Sequence, residues 1–203
     1  MTEIGDEALL AAWQAGDKAA GDVLVRRYFS LLFRFLKPRV AEHTADLAQR
    51  TFLAISQSHE RIPAGVSFRA WLLGVARNQL LAFGRASARR SLVVGGAPIS
   101  GVAGDATPSE VVAHREEQRV LLRGLRTLPI EMQLVIELFY WENMSREEIA
   151  AVLGVETNTV KSRLQRAKDR LRELLPRLDP VTGSVTAADL ERWAQSLRPP
   201  DSA

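Results

Sequence analysis

The chain contains no cysteine in its 203 residues, which removes disulfides, thiolate nucleophiles and cysteine-based zinc sites together. Histidine is nearly as scarce. His43, His59 and His114 stand apart in the sequence, and imidazoles scattered in this way give little support for a metal set or a catalytic pair. No glycine-rich phosphate loop and no pair of catalytic acids stands out. No catalytic residue, metal ligand or cofactor is therefore expected, and an enzyme is not the expected class. No apolar run approaches the ~18 residues that span a bilayer. The opening MTEIGDEALLAAWQAGD carries acids where a secretory leader needs a basic patch. The expectation is a soluble cytoplasmic protein without membrane insertion.

Alternating strand patterns are also missing, and what remains reads as helix. Leu9, Trp13, Ala20, Leu24, Tyr28, Leu31, Leu32 and Phe35 recur near helical spacing, interrupted at Gly16-Asp17. Pro38 is placed to kink or end the second of these helices. Leu47, Phe52 and Ile55 give a further apolar face, with Phe52 assigned to the core. The stretch 62–66 is a loop by its proline and glycine. Ser67 reads as the N-cap of a long helix with Phe68, Trp71, Leu72, Val75, Asn78 and Gln79 along one side. From 91 to 110 the composition turns to Gly, Ala, Ser and Pro without a basic residue, the signature of a flexible linker. The predicted fold class is all-α: two small helical domains, 1–90 and 111–177, joined by the linker 91–110, with a short helical extension at 178–203.

The net charge of +3 hides an uneven distribution. Residues 61–90 hold six basic groups and no acid, and 161–178 hold seven basic groups against two acids. The sequence between them is net acidic. Two separate basic blocks are the footprint expected of contacts to a phosphate backbone.

The most specific local pattern runs from Ser145 to Leu175. Ser145 and Glu148 form a capping box that starts a helix, and Gly154 is suited to the sharp turn that ends it. Thr157 or Asn158 then caps a second helix. Ile149, Leu153, Val155 and Val160 are apolar where the two helices must meet, and Ala150 is small enough for a close crossing. The second helix buries Val160, Leu164, Ala167 and Leu171 and presents Lys161, Arg163, Arg166, Lys168 and Arg170 on its other side. This is a helix-turn-helix containing a candidate major-groove helix. Asn158, Thr159, Lys161, Ser162, Arg163 and Arg166 are the residues placed to reach base edges and phosphates.

The segment LPIEMQLVIELFYWENMSREEIAAVLGVETNTVKSRLQRAKDRLREL resembles domain four of the extracytoplasmic-function (ECF) group of bacterial sigma factors. DLAQRTFLAI (46–55) resembles the domain-two helix that docks on the polymerase β′ clamp. FRAWLLGVARNQLLAFGR (68–85) resembles the helix that reads and opens the −10 element. The resemblance covers residues 6–175. It implies a transcription initiation factor that binds core RNA polymerase, through the β′ clamp and the β subunit, and promoter DNA, with an anti-sigma factor as a further candidate partner. It implies −35 readout by the second helix of the helix-turn-helix. It assigns −10 readout to Arg61, Ser67, Arg77, Asn78, Arg85, Arg89 and Arg90, with an unstacked base captured by the loop His59–Ser67. It assigns clamp contact to Asp46 and Gln49. Two departures stand out: Arg50 where the family usually has an acid, and Ala82 where it commonly has Asp. The competing reading, a helix-turn-helix regulator that never joins polymerase, requires an N-terminal ligand or phosphorylation domain, which residues 1–90 do not resemble.

The extension lies outside the family pattern. Thr186 and Asp189 look like a helix start, Leu190, Trp193, Ala194 and Leu197 form one apolar stripe, and Pro199-Pro200 end it. A short helix of this kind is marginal alone. It either packs on the adjacent domain or regulates the protein by covering a functional surface.

Overall fold

The computed structural model describes residues 4–94 and 116–178, and it divides into two compact units, within Met1–Gly104 and Asp105–Ala203. No strand occurs among the described residues. The linker residues 95–110 and the extension with Leu190, Trp193 and Leu197 lie outside them.

The first unit is built from α1 (Asp6–Gln14), α2 (Lys18–Val40), α3 (Thr44–Ser56) and α4 (Phe68–Val94), with single 3-10 turns at Ala41–His43 and His59–Arg61. Gly16 takes φ 103°, a left-handed conformation open to glycine. Asp17 then caps α2 by accepting hydrogen bonds from the amides of Ala19 and Ala20. Pro38 sits inside α2, which ends two residues later at Val40. Helix α2 is the centre of the unit and packs against α1, α3 and α4. Its buried residues Leu24, Leu31, Leu32, Phe35 and Leu36 meet Leu47 and Ile55 of α3 and Phe68, Leu72 and Leu73 of α4 in one apolar interior. Tyr28 of the predicted stripe is only half-buried.

Helix α4 differs from its sequence reading in two ways. It continues through Val94, four residues into the stretch that composition assigned to the linker. Its buried stripe is Phe68, Leu72, Leu73, Ala76 and Leu80, so Trp71 and Val75 lie half-buried on the flank and Asn78 is exposed. A helix packed against α1, α2 and α3 buries a broad face, and Ala76 lies fully inside it.

The second unit contains α5 (Glu116–Thr127), α6 (Ile130–Tyr140), α7 (Arg146–Leu153) and α8 (Thr157–Leu178). Pro129 precedes α6 as its N-cap, where its missing N–H leaves nothing unsatisfied. Helix α8 packs on α5, α6 and α7. Val160, Leu164, Ala167, Leu171 and Leu175 line its buried side and meet Val120, Leu121, Leu134, Leu138, Ile149 and Leu153.

Two helical glycines predict opposite outcomes. A Cβ on Gly21 would lie 2.5 Å from Cε2 of Trp13, whereas one on Gly84 would meet nothing within 4 Å. Alanine gains up to ~1 kcal/mol over glycine inside a helix, but overpacking a filled site costs ~1–3 kcal/mol. Gly84→Ala should therefore raise stability by about 0.5 kcal/mol, and Gly21→Ala should lower it by about 1 kcal/mol or more. Urea unfolding midpoints of the two variants against the parent chain test this.

Candidate nucleic-acid interface

In the second unit the backbone builds the predicted helix-turn-helix. Ser145 accepts from the Glu148 amide at 3.1 Å, and the Ser145 amide donates to the Glu148 carboxylate at 2.8 Å, closing the capping box. Gly154 adopts φ 63°, ψ 43°, and the Val155 amide donates to the Ala150 carbonyl at 3.1 Å. Helix α8 then starts earlier than a cap at Thr157 or Asn158 allows. The Glu156 carbonyl already accepts from the amides of Thr159 and Val160, so Thr157 and Asn158 lie in the first turn.

Helical spacing brings Asn158, Lys161, Ser162 and Arg166 to one exposed face, with Thr159 half-buried beside it. Gln165 shares that face and was not singled out from the sequence, although it falls four residues after Lys161. It donates to Asp169 on the next turn. Arg163 is placed differently. Its side chain is three-quarters buried and donates at 3.1 Å to Glu131 in the first turn of α6. The sequence pattern counted Arg163 among the outward basic residues because a partner 32 positions away leaves no trace in local spacing.

In the first unit a cleft of about 740 Å³ opens between α1 and the loop leading into α4. One wall is Asp6, Glu7, Leu10, Ala11 and Gln14, and the other is Glu60 with residues 62–68. The loop has a turn of its own: the Val66 amide donates to the Pro63 carbonyl, with Gly65 at φ 81°. Ser67 caps α4 by accepting from the Ala70 amide at 3.2 Å. Below the cleft Asp6 accepts from both Arg27 and the Tyr28 hydroxyl. Burial, then the hydrogen bond to Asp6, pushes the Tyr28 phenol above its ordinary range, so it stays protonated.

Arg61 is exposed at the end of the 3-10 turn. On α4, Asn78 and Arg85 are exposed seven residues apart, on one stripe that also holds Ala82. Arg77 is half-buried and donates to the Asn78 side chain at 3.3 Å. Arg89 and Arg90 continue the α4 backbone, and their side chains lie outside the described residues.

On α3, Asp46, Gln49, Arg50 and Leu53 follow one another at helical spacing on the exposed side. Arg50 pairs with Asp46 at 2.9 Å one turn away, so the expected acid is replaced by a locally neutralised pair. Leu53 is 57% exposed, and Phe29 of α2 is 48% exposed. Phe29 stacks on Phe33 and lies parallel to Phe52, which is half-buried at this rim rather than in the core. Leu53 and Phe29 thus leave apolar area open on α3 and α2.

A family model described as Sigma-70 region 2 matches residues 24–90, and one described as Sigma-70, region 4 matches residues 118–171. The chain belongs to the sigma-70 family. Several relatives carry the name of the ECF group. The ECF RNA polymerase sigma-E factor of Haemophilus influenzae is 28% identical over 83% of this chain and 94% of that protein. The ECF sigma factor SigE of Mycolicibacterium smegmatis is 31% identical over 84% of this chain and 64% of its own length. Among solved structures, CnrH in complex with the cytosolic domain of CnrY aligns with a TM-score of 0.60 at 25% identity, over 85% of this chain and 97% of that one. RpoE from Bartonella quintana, solved with the anti-sigma factor NepR, shares the fold at a TM-score of 0.56 and 23% identity, over 84% and 93% of the two chains. This sigma factor is accordingly a promoter-directing transcription initiation factor. Among its described residues no helix is long and apolar enough to cross a membrane.

Proposed function

We propose that this sigma factor binds core RNA polymerase through the α3 surface and reads promoters with two separate elements, without catalysing a reaction itself. The observation that carries the reading is the exposed face of α8, where Asn158, Lys161, Ser162 and Arg166 stand together above a fully buried stripe. Such a face presents hydrogen-bond donors to the major groove while the other side stays locked to the unit. Gln165 joins this face as a further −35 candidate. Arg163 acts from behind it, tying α8 to α6 through Glu131.

The −10 element falls to the first unit. Arg61, Arg77, Asn78 and Arg85 follow the DNA, with Arg89 and Arg90 continuing the basic block, and the Ser67-capped loop forms a wall of the cleft that receives an unstacked base. That cleft is lined by Asp6, Glu7 and Glu60 and by no basic residue, which suits the uncharged edge of a base and repels a phosphate. Unstacking costs a few kcal/mol, so polymerase and the −35 anchor must supply it. Docking on polymerase uses Asp46 and Gln49 and, beside them, Leu53, Phe29 and Phe52. An anti-sigma protein would compete for these same surfaces.

The direct test is co-elution of the full chain with bacterial core RNA polymerase, beside a version ending at Arg177. Binding by the full chain is expected. Binding by the shortened version alone would make the extension, with Leu190, Trp193 and Leu197, inhibitory. If neither binds, the polymerase reading fails and a stand-alone DNA-binding regulator takes its place.

The α8 face makes a second prediction in salt titrations of holoenzyme on promoter DNA. Lys161→Ala and Arg166→Ala should each lower the slope of log affinity against log salt by about 1. Arg163→Ala should leave that slope nearly unchanged and instead cost about 1 kcal/mol of folding stability, the upper range for a partly exposed pair.

A further inference from the structure

The −10 loop is held from outside by α1. Gln14, in the last turn of α1, donates its side-chain amide to the His59 carbonyl at 3.0 Å and reaches the Ile62 carbonyl at 3.4 Å. These two carbonyls lie at the two ends of the 3-10 turn that leads into the loop. Beside Gln14, the Trp13 ring stacks on His59 with centroids 4.3 Å apart and planes 11° from parallel, and it also meets Phe68 at the start of α4. The loop's own backbone bonds are few: Ile62 to His59, and Val66 to Pro63. The turn is also tied back to the end of α3, by the Arg61 amide to the Ser58 carbonyl and the His59 ring to the Ser56 carbonyl, and Ile62 is buried; across the cleft, Gln14 supplies the hydrogen bonds that join it to α1.

We infer that Gln14 is a positioning residue for base capture, fixing the His59–Ser67 loop at the spacing from α1 that the unstacked base requires. The inference rests on the proposed −10 role of that loop. Packing and positioning divide between neighbours here. Trp13 is buried and secures α1 to the unit, whereas Gln14 is exposed. Without its amide the two carbonyls return to water at the cleft rim, at little cost to the fold. The loop then loses the bridge between its turn and the cleft wall. A residue whose loss spares stability but loosens one wall of a recognition cleft should alter base selection, not folding.

The experiment uses holoenzyme reconstituted from core RNA polymerase and the full chain, incubated with a pool of synthetic promoter-length duplexes of randomised sequence. The bound fraction is sequenced, and thermal unfolding of each chain is measured alongside. Gln14→Met keeps the side-chain length, brings no charge into the cleft and removes the donor. It is expected to cut the enrichment of the preferred −10 base about fivefold, the factor that one such hydrogen bond is worth. The −35 preference and the unfolding midpoint should stay at parental values. An unchanged −10 preference in Gln14→Met would overturn the inference, as would an equal loss at both elements. A parental holoenzyme that selects a −35 block but no −10 block would remove the functional reading of the loop, and the inference with it.

Discussion

Trp13 is the side chain on which the first unit depends. It sits at 7% exposure with its indole directly over Gly21 of α2, stacks on His59 and meets Phe68. One ring thus joins α1, α2, the 3-10 turn and α4. The hydrogen bonds that Asp17 accepts from the amides of Ala19 and Ala20 start α2 at the register that puts Gly21 under the ring. Any side chain there would displace the indole and, with it, the wall of the cleft. Helix α1 is only nine residues long, too short to persist without such an anchor. Its contribution to function therefore comes through packing: once seated, it carries Gln14 to the loop and Asp6 to Arg27 and Tyr28.

The second unit solves a similar problem with a different device. A recognition helix must be held firmly on one side and left polar on the other. Val160, Leu164, Ala167, Leu171 and Leu175 provide the holding surface, and the Arg163–Glu131 pair adds an orientation that apolar packing alone leaves free. A largely buried, charge-assisted bond of this kind is directional where hydrophobic contact is not. The exposed face carrying Lys161, Ser162, Gln165 and Arg166 is presented at an angle set by this bond and by the tight turn at Gly154.

Local signals account for what could be read before the structure. The capping box, the left-handed glycine, the loop at 62–66 and the buried stripe of α8 all follow from residues within four positions of one another. Such patterns survive in a single sequence because helix geometry imposes them. The family resemblance added roles that spacing alone does not contain. Features that depend on distant partners escaped. Arg163 looks outward by periodicity and is drawn inward by Glu131. Phe52 looks like core and lies at a rim beside Phe29. Trp71 and Val75 flank α4 because Leu73 and Ala76 take the interior. The hydrogen bonds from Gln14 to the carbonyls of His59 and Ile62 span more than forty positions, and nothing local to either segment announces them.

If this chain redirects RNA polymerase to promoters of its own, a map of transcript starts will show it. Bacterial core polymerase would transcribe genomic DNA in vitro with and without the full chain, and the 5′ ends would be compared. With the chain present, a set of starts absent with core alone is expected, preceded by two shared sequence blocks at near-constant spacing. Starts identical to those of core polymerase alone would mean that the chain does not direct promoter choice.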